Sequence, residues 1–200
     1  MNQSPKKVIV AITGASGAIL GIRTLELLQG VGIETHLIIS RAARRTVTSE
    51  TDWKIKDVEA LASFSYDPQD IGALIASGSF VTEGMLVVPC SIKSLSGIAN
   101  SYANNLVVRA ADVCMKEGRK LILVVRETPL HSGHLGLMQQ AANAGAIIFP
   151  PVPPFYGGAQ TIDDLINGLA GRILLRLSIE NDHYYQWDGN EDPEPSSGDT

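Results

Sequence analysis

Residues 8–18, VIVAITGASGA, run from five consecutive apolar positions into a string of small residues. The apolar run is continuous rather than alternating, the pattern of a strand buried on both faces. Four further runs share it: Thr35–Ile39, Met85–Val88, Leu121–Val125 and Ala146–Phe149. Between them lie helical patterns. Ile22, Leu25 and Leu28 recur at three-residue spacing, and Leu106–Lys116 and Leu135–Asn143 are rich in helix formers. Strand alternating with helix predicts an α/β fold, a three-layer, doubly wound, mostly parallel sheet. Ligands of such a sheet bind outside the carboxyl ends of its strands.

The expected architecture is therefore Rossmann-like or flavodoxin-like. Segment 53–82 breaks the rhythm with Ser, Asp and Gly and reads as a long excursion with one short helix near Lys56–Ala62. In the last helix Ile162, Leu165, Ile166, Leu169, Ile173 and Leu177 form one apolar stripe. It begins after Thr161, an N-cap candidate, with Asp163 and Asp164 in the first turn. Arg172 falls at the edge of that stripe. Residues 188–200 are acidic and rich in Pro, Ser and Gly, so one domain over residues 1–187 with a mobile tail is expected.

The formal net charge of −5 argues against broad attraction to nucleic acid or an anionic membrane, although a local basic pocket is compatible with it. Cys90 and Cys114 lack metal-ligand spacing with histidines, and both read as reduced core residues. No metal site is expected. The opening MNQSPKK leads into a run too short for a signal-peptide core or a membrane span, so the expected location is cytoplasmic.

Four strand ends carry small, hydroxyl or cationic residues. They are Thr13–Ala18, Ser40-Arg41, Pro89-Cys90-Ser91-Ile92-Lys93-Ser94 and Arg126-Glu127. Taken singly, Ser40 reads as a helix N-cap, Lys93 as a solvated lysine, and TGASGA as a tight turn lacking the dinucleotide spacing. Polar residues at unrelated strand ends have no packing reason to coincide, so together they favour a phosphate-bearing ligand.

With these residues in view, the chain resembles the UbiX-type flavin prenyltransferases, especially those associated with aromatic acid decarboxylases. The resemblance covers nearly the whole chain. It is carried by TGASGA at 13–18, ASGSF at 76–80, GMLVVPCSIKSLSGIA at 84–99, NNLVVRAADVCMKEGRKLILVVRE at 104–127 and PPVPPFY at 150–156. It implies that reduced FMN is prenylated by a dimethylallyl phosphate donor, at N5 and then by ring closure at C6, without a metal. It also implies that the product goes to a UbiD-type decarboxylase.

Carried over by motif, the FMN site comprises Gly14, Ala15, Ser16, Ser40, Ser91, Ile92, Lys93, Ser94 and Arg126. Lys116, Tyr156 and Arg172 would meet the donor phosphate, Lys116 from a neighbouring subunit, which implies a homo-oligomer, a large closed assembly such as a dodecamer. Glu50 and Glu127 match carboxylates suited to proton removal, and Ser16 joins them at the reacting centre. Trp187 matches an aromatic whose face can stabilise developing allylic charge. Read alone, Lys116 complements a helix C-terminus, Arg172 snorkels, and Tyr156 and Trp187 pack.

The chain departs from relatives in PLHSGHLGLM at 129–138. His134 and Met138 are kept, but Gly136 and Leu137 replace a Glu and an Asn, altering contacts in that loop. His131 and His134 form no known metal motif and read as loop residues. A second function of the same fold is FMN-dependent cysteine decarboxylation. Those enzymes carry a P-A-S-A-N-T-like segment where this chain has Pro-Cys-Ser-Ile-Lys-Ser. A third is a non-catalytic flavin-carrying accessory subunit, which turnover without a partner protein would exclude.

Overall fold

The computed structural model describes residues 6–187, so the tail expected at 188–200 lies outside the described residues. Among the described residues six strands, β1 (Lys7–Ile12), β2 (Glu34–Ile39), β3 (Phe64–Tyr66), β4 (Gly84–Cys90), β5 (Lys120–Val125) and β6 (Ile147–Ile148), form one sheet. Their order is β3-β2-β1-β4-β5-β6, and every neighbouring pair is parallel. The sheet is thus wholly rather than mostly parallel. Strand order reverses between β1 and β4, which places a crevice at their carboxyl ends.

Seven α-helices among the described residues complete the layers: α1 (Ala18–Gly30), α2 (Arg41–Glu50), α3 (Ile55–Ala60), α4 (Ile92–Ala99), α5 (Leu106–Lys116), α6 (Ser132–Asn143) and α7 (Ile162–Leu175). Alternation along each strand divides the core in two. Val10, Leu37, Leu86 and Ile122 face α1 and α7, meeting Leu25, Leu28, Ile173 and Leu174. Ile9, Ile38, Val87 and Leu123 face α4 and α5, meeting Leu95, Ile98, Leu106 and Ala110. All seven residues of β4 are buried, as a central strand covered on both faces requires.

Several boundaries differ from the sequence expectation. The 53–82 excursion contains β3, whose three residues Phe-Ser-Tyr include an exposed Phe64 and Ser65 at the edge of the sheet. A strand so short and half solvated carries no long apolar run. The last strand shrinks to Ile147–Ile148. The short helix lies at Ile55–Ala60, and α6 starts at Ser132, so His131 and His134 belong to a helix start rather than a loop. Thr161 caps α7 in a reciprocal box with Asp164, yet Ile162 stands 77% exposed and leaves the buried stripe. Both cysteines are free and buried. No helix among the described residues is long and apolar enough to cross a membrane.

Candidate functional site

Thr13 follows β1 and is buried. Its Oγ1 donates to the Pro89 carbonyl at 2.8 Å and accepts from the Ser91 N–H at 2.8 Å, while its own N–H donates to Pro89 at 3.2 Å. One side chain thereby ties the ends of β1 and β4 at the point where the strand order reverses. The sequence marks Thr13 only as the first residue of the TGASGA turn; its role as a tie depends on Pro89 and Ser91, which only the sheet brings close.

Beside this tie opens a crevice of about 570 Å³ lined by Gly14, Ser40, Arg41, Ser91, Lys93, Ser94, Asn100, Asn104, Asn105 and others. Two βα turns deliver helix amino termini to it. Ser40 caps α2, its Oγ accepting from the Ala43 N–H at 3.1 Å. Ser91 caps α4, accepting from the Ser94 N–H at 3.3 Å and donating to Ser94 Oγ at 3.2 Å. Asn105, which caps α5 through Val108 N–H at 3.1 Å, lies on the same wall. Helix amino termini present positive partial charge, and the Lys93 ammonium and Arg41 guanidinium add full charges. The Ser40 hydroxyl keeps its proton to donate, and Ser94, which accepts from Ser91, keeps its own. Such a set suits a phosphate monoester, and the volume lies within the range of small-molecule sites, so these residues fit the FMN that the sequence implies.

The remaining turn residues stand around this crevice rather than in its wall. Ala15 is buried, Ser16 is exposed, and Ile92 packs against the core beneath α4. Glu50 ends α2 and reaches back to α1. Its Oε2 accepts from the N–H groups of Gly17 at 2.8 Å and Ala18 at 3.2 Å, which Gly17 exposes by adopting a φ of 95°. Glu50 is thus a helix cap beside Ser16 and not a loose helix-end residue. Arg126 leaves β5 with its N–H bonded to the Cys90 carbonyl at 3.2 Å and its side chain exposed. Glu127 is exposed, and its Oε1 accepts from the Thr128 N–H at 3.1 Å. Burial pushes the Cys90 thiol up to about 12, so the cysteine of Pro-Cys-Ser is no nucleophile.

A second cavity, about 490 Å³, lies along α7 and is lined by Arg172, Asn167, Pro154, Gly157, His183, Tyr184 and Tyr185 among others. Tyr156 packs edge-on against Tyr185 and Trp187, with ring centroids 5.7 Å apart in both cases. Tyr156 and Trp187 therefore meet each other, and Tyr156 reaches the Arg172 cavity through Tyr185, which lines it with His183; the sequence singled out neither of these two. This cavity and the crevice share no lining residue. Lys116 joins neither. It pairs with Glu117 at the end of α5, just before the start of β5, toward the amino-terminal rather than the carboxyl ends of the strands. Among the described residues no group of three or more His, Cys, Asp or Glu side chains is placed to hold a metal ion.

Comparisons with known proteins agree with this geometry. The family model described as Flavoprotein matches residues 1–174. The flavin prenyltransferase UbiX of Escherichia coli strain K12 is 54% identical over 187 residues, covering 92% of this chain and 99% of its own. A solved structure of AnUbiX (PadA1) in complex with FMN and dimethylallyl pyrophosphate superposes with a TM-score of 0.92 at 44% identity, covering 94% of this chain and 100% of that one. A dodecameric FMN-dependent UbiX-like decarboxylase from Escherichia coli O157:H7 superposes with a TM-score of 0.89 at 46% identity, covering 92% and 100% of the two chains.

Proposed function

This chain belongs to the UbiX-type flavin prenyltransferase family, and from that premise we propose that it transfers a dimethylallyl group from dimethylallyl phosphate to reduced FMN. The observation that carries the reading is the convergence of Ser40, Ser91, Lys93 and Ser94 with two helix amino termini on one crevice at the strand-order reversal. That set suits the flavin phosphate. Reduced FMN, when bound, supplies the nucleophilic N5 and the C6 position at which the new ring closes.

The chain's own groups supply the rest. Arg172 and Tyr156 hold the donor phosphate, so that the allylic C–O bond breaks with its electron pair leaving on phosphate. The faces of Tyr156 and Trp187 stabilise the allylic charge that develops. Glu50, fixed by the α1 amino terminus beside Ser16, and Glu127 are the carboxylates available to accept the ring proton. Lys116 is supplied by a neighbouring copy, so the working enzyme is a homo-oligomer. The product passes to a UbiD-type decarboxylase in the cytoplasm.

The test is direct. Anaerobic incubation of the protein with reduced FMN and dimethylallyl phosphate yields a flavin heavier by one C5 unit by mass spectrometry, and absence of that product overturns the assignment. Arg172→Ala loses product while keeping flavin binding.

A further inference from the structure

After α7 the chain turns back on itself. Leu177 and Ile179 are buried, and between them Ser178, at a φ of 59°, reverses the direction. The returning segment 181–187 then lines the α7 cavity with Tyr184 and Tyr185 beside Arg172 and ends with Trp187 against the Tyr156 ring. Beside the ring contacts of Tyr156, one side chain and one gap help to hold it there. Asn181 Nδ2 donates to the carbonyls of Gly171 at 3.1 Å and Ile179 at 3.2 Å, and its Oδ1 accepts from the His183 N–H at 3.1 Å. A Cβ on Gly171 would come within 2.6 Å of Asn181 Oδ1 and 3.1 Å of both His183 C and Tyr184 N. Two of those atoms are backbone, and the third is pinned, so no rotamer change relieves the contact. On the other side of the segment, a Cβ on Gly157 would lie 3.1 Å from Tyr185 Cβ.

From this geometry we infer that Gly171 and Asn181 are positioning residues for prenyl transfer: they clasp the returning segment to α7 and so hold Tyr185 in the wall of the Arg172 cavity, with Tyr185 and Trp187 against the Tyr156 ring. The inference rests on the reading of Arg172 and Tyr156 as ligands of the donor. The clasp acts on the donor side alone, because none of its atoms lines the crevice of Ser40, Ser91 and Lys93.

The chain has two tryptophans, and Trp53→Phe, at a position that lines neither cavity, leaves Trp187 as the reporter. In that background, full-length Asn181→Ala and Gly171→Ala should make Trp187 more accessible to acrylamide quenching. They should also raise the KM for dimethylallyl phosphate about tenfold, the effect of losing a hydrogen-bonded contact, with the affinity for reduced FMN unchanged. Unaltered quenching together with an unaltered donor KM overturns the clasp. So does loss of flavin binding in Asn181→Ala, which would make the residue a general structural support. Arg172→Ala separates the two levels. If it still forms product with an unchanged donor KM, the donor assignment fails, while the quenching of Trp187 still decides whether the clasp exists.

Discussion

The Thr13 hydroxyl bridges β1 and β4 with one bond donated and one accepted, and this tie is tested by shape. Thr13→Val keeps the volume and removes both bonds, leaving the Ser91 N–H without its acceptor. The expected loss is about 1–3 kcal/mol in urea unfolding, with weaker binding of reduced FMN, while Thr13→Ser retains most of both. His36 is a second residue whose surroundings set its behaviour. Buried on β2, it bonds through Nδ1 to the Tyr66 hydroxyl and through Nε2 to Glu34 Oε1, each at 2.9 Å. Lys7 stands close by, paired with Glu34 and lying over the Phe80 ring. Burial holds the imidazole below its ordinary 6.5, against the opposite pull of Glu34. The unfolded chain therefore takes the proton first. The contribution is complete above pH 6.5 and is lost as the pH falls through the lower folded-state value. Urea midpoints measured across this range should decline toward acid, and His36→Gln should flatten the decline. Neither residue's role was legible in the sequence. Each depends on partners that only the sheet brings close, Pro89 and Ser91 for Thr13 and Tyr66 for His36.

At the level of elements, legibility followed length and burial. The runs forming β1, β2, β4 and β5 announced themselves because both faces of each are covered, and α5 matched its expected bounds of Leu106–Lys116. Edge strands obey a weaker rule: β3 needs apolar residues on one face at most, and its exposed Phe64 and Ser65 gave no pattern to find. The start of α6 was missed because its cap is His131, whose Nδ1 accepts from the Gly133 N–H at 3.0 Å, and histidine is not a usual capping residue. The α7 cap was legible for the opposite reason, since Thr161 with Asp164 three positions on spells a capping box. Its hydroxyl accepts from the Asp164 N–H at 3.1 Å, and Asp164 bonds back to the Thr161 N–H at 2.9 Å. Thr161→Ala should cost about 1 kcal/mol in thermal unfolding, and unchanged stability would mean that α7 is held by packing alone.

Across the whole molecule, the candidate site was legible as chemistry more than as geometry. The strand-end serines and Lys93 meet as expected, because a parallel sheet sends every βα turn to one edge. Lys116 does not meet them, and the crevice and the Arg172 cavity are lined by different residues, a separation that spacing along the chain cannot express. Val152, Phe155 and Ile162, 71%, 81% and 77% exposed, stand on the segment carrying Tyr156 and on the first turn of α7. The proposed homo-oligomer would give such apolar residues a partner. Light scattering should accordingly find a multi-copy assembly, and a stable, fully active monomer would be incompatible with a Lys116 contributed from a neighbour. One consequence concerns the chemistry's own hazard. A reduced flavin that meets oxygen releases peroxide, and peroxide attacks thiolates. Cys90 adjoins the serine that caps α4, yet its thiol stays protonated up to about 12, and Cys114 up to about 11. Buried as both cysteines are, mass spectrometry after repeated aerobic cycling of the flavin should find both sulfurs unoxidised, and sulfinic or sulfonic products at either would show that peroxide reaches the core.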